Sequence, residues 1–332
     1  MKVNSFFRLY ACCILVKGSK RASITDTQRF CLYLIPLDLY NILKDGVLDF
    51  NKLKQIYENE ILNEYLNFLE ENKLGFWTNH PNNFPPIAPV WDSPSLITNA
   101  IVDIGTNIDY DLSLFVKELD SLGCKAIMIR FFEKKEIKQI LKILNFFEYT
   151  GIESIDILLA EYKDYSLGEL DYMIDYNIRI KSLALFSAPK TQLYRKGDDS
   201  MGNILFIAEK LNLNSCGKIA SNNFCYTLNM ITESMNYNNC LNRKISVDIY
   251  GNISHCPSFP QIYGNYKINT LQQILQNNNF KKIWKMNKDH IKKCRDCEFR
   301  YVCLDCRAYT ENNELDASPI NCKYDPYTCR WN

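Results

Sequence analysis

The chain has 332 residues, 47% of them hydrophobic, 13% aromatic and 23% charged, a globular profile that excludes wholesale disorder and collagen-like repeats. Lys and Arg total 39 against 38 Asp and Glu, so a net charge of +1 offers no global electrostatic case for nucleic acid or an anionic membrane. The length suits two or three domains, and cysteine is the anomaly, at 14 residues.

The first segment, residues 1–78, opens with two β-rich runs, Phe6–Val16 and Ser23–Ile35, flanking the turn Lys17-Gly18-Ser19-Lys20. Leu9-Tyr10-Ala11-Cys12 loosely mimics a lipoprotein cleavage site, but Arg8 interrupts the apolar stretch and Ile14-Leu15-Val16 continues it, so a strand is the better reading. No apolar run reaches the ~20 residues needed to cross a bilayer, and a cytoplasmic protein is expected. Pro36 ends the strands. Helical patterns follow at Leu37–Leu43, Asn51–Tyr57 and Ile61–Lys73, the last with Leu62, Tyr65, Leu66 and Leu69 on one stripe. A small β-ribbon followed by short helices outlines a winged-helix-like element. Residues 79–94 carry Pro81, Pro85, Pro86, Pro89 and Pro94 and read as a linker.

Residues 95–213 alternate strand and helix patterns. Strands are expected at Ile97–Ile104, Ala126–Phe132, Ser154–Ala160 and Ile180–Ser187, with helices at Asp111–Leu122 and Lys134–Phe147. Such alternation implies βαβ units and a parallel sheet, either open or an incomplete barrel. The fold class is therefore α/β.

Residues 214–332 are rich in Asn, Lys and Cys and show little periodicity, so their fold must depend on what the cysteines bind. Lys244–Ser254 reads as a β-hairpin turning at Gly251, which would bring Cys240 and Cys256 to its open end. Beyond it lie Cys294-x2-Cys297-x5-Cys303-x2-Cys306, then Cys322 and Cys329. In a reducing compartment such a cluster means metal or redox chemistry rather than disulfides. One zinc ribbon needs roughly 12–20 residues between its Cys pairs, whereas five separate Cys297 from Cys303. All-thiolate ligation with no His pair suits iron–sulfur chemistry. Nine Lys/Arg against four Asp/Glu between Lys281 and Arg307 supply cations for such a site, or simply a solvated basic face.

Gly251-x4-Cys256 after Cys240, then the Cys294–Cys303 run, a nearby cysteine and Cys322, resembles the SPASM domain appended to radical S-adenosylmethionine (SAM) enzymes that modify ribosomal peptides. Asn239–Ile245, His255-Cys256-Pro257-Ser258, Cys294–Tyr301 and Cys306-Arg307-Ala308-Tyr309 resemble more specifically the peptide maturase of grasp-with-spasm systems, which act beside an ATP-grasp ligase and a precursor peptide. The resemblance is dense over Cys216–Trp331 and loose elsewhere. It implies two [4Fe–4S] clusters. One would take Cys240, Cys256 and Cys306, with a fourth ligand from Cys216, Cys225 or Cys329, of which Cys216 is favoured. The other would take Cys294, Cys297, Cys303 and Cys322. The spacing Cys303-x2-Cys306 is one residue shorter than the C-x3-C of the family.

A radical SAM enzyme also needs C-x3-C-x2-C after its first barrel strand. Here the corresponding loop reads Gly105-Thr106-Asn107-Ile108-Asp109-Tyr110-Asp111, and the second strand ends Arg130-Phe131-Phe132-Glu133 in place of a Gly-Gly-Glu turn. Cys12, Cys13 and Cys31 lack the spacing and read as small buried hydrophobes. The middle segment is therefore expected to be a degenerate, partial radical-SAM-type (β/α) barrel, and SAM is not an expected cofactor. His255, beside Cys256, reads as a surface residue at the hairpin end rather than a ligand. No hydrolase or phosphate-loop signature occurs. The expected function is precursor-peptide binding in ribosomal peptide (RiPP) biosynthesis, with an ATP-grasp ligase as partner. The N-terminal element would hold the leader peptide. An active radical SAM-like oxidoreductase and a zinc-binding structural protein are the alternatives.

Overall fold

In a computed structural model of the chain, residues 5–195, 202–212, 216 and 219–331 are described. Two compact units alternate along the sequence: Met1–Asp92 with Gly217–Cys240 and Lys285–Asn332, and Ser93–Cys216 with Leu241–Trp284. Among the described residues no helix is long and apolar enough to cross a membrane.

The first unit begins with strands β1 (Phe6–Leu9), β2 (Cys13–Lys17), β3 (Ala22–Asp26) and β4 (Cys31–Ile35). Each expected β-rich run is thus two strands. Cys13 N–H donates to Tyr10 O across a turn at 10–12, and the Asp26 carboxylate caps the turn at 27–30 by accepting from Gln28 and Arg29 N–H. Helix α1 (Leu37–Leu43), strand β5 (Val47–Asp49), helices α2 (Phe50–Leu53) and α3 (Asn59–Glu71) and strand β6 (Gly75–Thr78) follow. The strands form two antiparallel sheets, β5-β1-β6 and β2-β3-β4, rather than one ribbon. Leu39 and Leu43 of α1 and Leu62, Leu66 and Leu69 of α3 close a core with Phe7, Ile24 and Leu48. The proline-rich stretch contains one 3-10 turn, Pro81–Asn83.

The turn between β2 and β3 grips the segment around Cys297. Ser19 N–H donates to Asp296 O at 2.7 Å, and Ser23 Oγ donates to Glu298 O at 2.8 Å. Arg300 Nη1 donates to Lys17 O at 2.6 Å. Gly18 is required here, because a Cβ at that position would meet Glu298 N at 2.9 Å.

The second unit is built on a nine-stranded sheet. Its elements are β7 (Asn99–Ile104), α4 (Leu112–Ser121), β8 (Ala126–Phe131), α5 (Ile137–Leu144), β9 (Ser154–Leu159), α6 (Leu167–Tyr176), β10 (Ile180–Leu185), β11 (Gln192–Tyr194), β12 (Asn203–Phe206), β13 (Lys244–Val247), β14 (Asn252–Ser254) and β15 (Gly264–Asn265). The strand order is β11-β12-β10-β9-β8-β7-β13-β14-β15, with β12 through β13 parallel and both margins antiparallel. The four strands read from the middle segment are all present, and β12 and β13 extend the parallel set. Asp111 caps α4 by accepting from Leu114 N–H, and Leu112, Phe115, Val116 and Leu119 bury one stripe of it. The expected hairpin is β13–β14, turning at Gly251 with φ of +86°. It joins the large sheet through β13, which pairs with β7 from Lys244↔Asn99 to Val247↔Val102.

Candidate metal centre

The segment 288–307 makes tight local turns because its backbone hydrogen bonds close over three or four residues. Lys293 takes a left-handed φ of 66°, Cys294–Asp296 is a 3-10 turn, and Cys297 N–H donates to Cys294 O at 3.0 Å. Phe299 N–H points back at Cys297 Sγ at 3.4 Å, as in a thiolate knuckle. Cys303 N–H donates to Phe299 O at 3.0 Å, and Cys322 is placed by its N–H on Pro319 O at 3.0 Å. The four thiols Cys294, Cys297, Cys303 and Cys322 line one cavity, walled by Phe224, Phe299, Tyr324 and Trp331 and flanked by Lys288, Lys293 and Arg300.

Burial governs the protonation of three of these thiols. It pushes Cys294 up to about 12, partly offset by Lys288, and it raises Cys297 and Cys303 as well. In the absence of a metal they are thiols at neutral pH, and metal binding must displace their protons. Lys288 is a buried cation that lines the same cavity. Its burial disfavours the charge, but Cys303, Asp305 and Cys294 more than offset that and raise its pKa. Its ammonium group donates to Leu304 O at 3.0 Å and also to Cys303 O.

Further residues brace the loop; Asn239, Glu298 and Arg307 lie within the stretches that resemble the peptide maturases, but the sequence alone assigns them no role. Asn239 Nδ2 donates to Cys303 O at 2.9 Å and Asn239 Oδ1 accepts from Asp305 N–H at 2.9 Å. Asn238 Nδ2 donates to Asp305 Oδ2 at 2.8 Å, and Asp305 pairs with the fully buried Arg307 at 2.7 Å. Glu298, buried between Cys297 and Phe299, accepts from Arg21 Nε at 2.6 Å and from Tyr324 Oη at 2.5 Å. The sequence signals that could have flagged them are the position of Asn238 and Asn239 directly before Cys240 and of Glu298 and Arg307 directly after Cys297 and Cys306.

The remaining expected ligands are placed as follows. Cys240 and Cys306 belong to the first unit, Cys216 and Cys256 to the second. Cys216 is exposed, with Sγ 3.3 Å from Ser258 Oγ in the loop after Cys256. Cys225 donates its N–H to Val302 O at 2.9 Å, and Cys329 is half-buried with Sγ 3.9 Å from Pro326 O.

His255 corrects the sequence reading. It is fully buried rather than at the surface, stacked on Phe280 at 4.1 Å and met edge-on by Phe259 and Tyr263. Burial lowers its pKa to about 4, although Nε2 lies 2.6 Å from Phe280 O. It is a neutral core aromatic.

In the second unit, the loop after β7 is closed by its own polar groups. Arg130 on β8 makes a bidentate pair with Asp103 on β7 at 2.6 and 2.7 Å, both buried. Lys135 Nζ donates to Thr106 O at 2.7 Å, and the Thr106 hydroxyl donates to Glu133.

The donor set tests what the C-terminal cavity fits. One tetrahedral zinc would draw four sulfurs to within about 3.8 Å of one another. Among the described residues, no three of these thiols lie within 4.8 Å of each other. Four thiols spread around a single cavity, with cations beside them, fit a larger all-thiolate group.

Residues 239–298 match the SPASM family, an iron–sulfur cluster-binding domain, and the match implies iron–sulfur binding. Two solved structures show likeness over most of the chain. Streptococcus suis SuiB is 11% identical with a TM-score of 0.32, covering 91% of this chain and 96% of that one. SuiB bound to S-adenosylmethionine is 11% identical with a TM-score of 0.33, covering 98% and 100%. No curated protein matches the chain.

Proposed function

We propose that this chain is an iron–sulfur peptide maturase of RiPP biosynthesis, which holds a ribosomal precursor peptide while a partner ATP-grasp ligase modifies it. The observation that carries this reading is the convergence of Cys294, Cys297, Cys303 and Cys322 on one cavity, beside a family match that is itself iron–sulfur-binding. Bound there, a [4Fe–4S] cluster supplies a redox-capable, negatively charged core. Lys288, Lys293 and Arg300 offset that charge, and the aromatic walls keep water out. A second [4Fe–4S] cluster on Cys240, Cys256, Cys306 and Cys216 is the sequence expectation carried forward. We read the second unit as a partial (β/α) barrel of radical-SAM ancestry and the N-terminal element as winged-helix-like. The cysteine usage suits the cytoplasm.

Peptide capture is supported by β4, which among the described residues ends its sheet with one side unpaired by any strand, and by exposed Leu34 on it and exposed Phe30 in the turn just before it. An extended leader added there would gain backbone hydrogen bonds for affinity and side-chain contacts for specificity. Calorimetry of the full chain with a candidate ribosomal precursor peptide tests the reading. Binding is expected, and Leu34→Pro, which removes an N–H on the free side of β4, should weaken it. No binding to the loaded protein would refute the peptide-holding role while leaving the cluster assignment untouched.

A further inference from the structure

We propose that Cys12, Cys13 and Asp26 form a second kind of metal site, a thiolate–carboxylate site for one divalent zinc-class cation, completed by the side-chain oxygen of Gln28. The site is independent of the C-terminal cysteines and of the peptide-holding role.

Cys12 lies in the turn before β2, and Cys13 opens that strand facing Asp26 at the end of β3. Their two sulfurs and a carboxylate oxygen of Asp26 lie within 4.8 Å of one another, the only such trio of potential ligands among the described residues. The fourth donor is in place: Gln28 Oε1 is 3.8 Å from Cys12 Sγ. In a tetrahedral zinc site, sulfur and oxygen ligands are about 3.6–3.8 Å apart, so only a small contraction is needed. Asp26 is fully buried and oriented before any metal arrives, because Oδ1 accepts from the N–H groups of Gln28 and Arg29 at 2.9 and 3.0 Å.

The competing group is Arg29, whose Nη1 holds Asp26 Oδ2 at 2.6 Å. That side chain is 44% exposed and already reaches Lys73 O at 3.3 Å, so it has a partner when a cation takes Oδ2. Cys13 lines a cavity of about 450 Å³ together with Arg8, Tyr10 and Ile14, which provides an entry path. Binding forms two metal–sulfur bonds, releases the two thiol protons to solvent and changes no oxidation state. Hydrophobic packing alone explains why two small side chains sit here. It does not explain why both sulfurs stand at ligand distance from a buried carboxylate.

The test uses the full-length protein with its iron–sulfur clusters assembled anaerobically, incubated with zinc sulfate and desalted, with zinc and iron measured together. The wild type is expected to retain about one zinc per chain more than Cys12→Ala or Asp26→Asn, at equal iron. Cys31→Ala, whose thiol is outside the trio, should keep the wild-type zinc. Equal zinc in the wild type and both variants, or no zinc in the wild type, would overturn the site. Should a variant unfold, the wild type still decides: zinc must raise its melting temperature, and no rise refutes the proposal.

Discussion

His255 shows how a single side chain takes its role from burial rather than from its neighbour in sequence. Stacked on Phe280 with Phe259 and Tyr263 at its edges, it acts as an aromatic core residue, so His255→Ala should cost about 3 kcal/mol in chemical denaturation, as for other buried aromatics. Tyr250→Ala, at the exposed tip of the same hairpin, should stay within ~0.5 kcal/mol. A neutral His255→Ala would return the residue to the surface. Arg21 is the complementary case. It is 29% exposed, yet its partner Glu298 is fully buried beside Cys297. Arg21→Met removes the charge paired with that carboxylate, leaving the Tyr324 hydroxyl on it, and should cost about 2 kcal/mol, reduced from a fully buried pair by solvent screening. Iron retention should fall with it. Adding Glu298→Gln should recover part of both, and a double variant no better than the single would show that the pair does not position the Cys297 segment.

Among the elements, the β7–β8 pair carries the most testable electrostatics. Asp103 and Arg130 are both buried and joined by two hydrogen bonds. Burial, with a smaller push from Asp248, raises the Asp103 pKa, and Arg130 pulls it back only in part. Removing one partner leaves an uncompensated charge, so Arg130→Met should destabilise by roughly 3–5 kcal/mol, while Asp103→Leu with Arg130→Met should restore most of that loss. Additive losses in the double-mutant cycle would contradict the pairing. These elements were the most legible in the sequence, because α4, α5 and their flanking strands each satisfy a local period. The N-terminal runs were less so: Phe6–Val16 keeps its β-rich composition through the turn at residues 10–12, and composition does not register a turn made without Gly or Pro. The pairing of β13 with β7 joins Lys244 to Asn99, a contact no local pattern encodes.

For the molecule as a whole, the cysteine spacing announced thiolate chemistry, and the structure gathers Cys294, Cys297, Cys303 and Cys322 around one cavity. The roles of their braces were illegible, because Lys288, and Glu298 and Asn239 within the family-like stretches, show their partners only once folding buries them or pins them to a backbone carbonyl. The loop Gly105–Asp111 has no cysteine, so with SAM and a strong reductant the protein should release no 5′-deoxyadenosine above a protein-free control. Release above that control would refute the degenerate-barrel reading. The central claim rests on the C-terminal cavity, and the most direct measurement is iron and acid-labile sulfide per chain after anaerobic reconstitution, in the wild type and in Cys297→Ala. Two four-iron clusters predict roughly eight of each in the wild type and roughly four in the variant. Absence of sulfide from the wild type, or an unchanged content in Cys297→Ala, would contradict it.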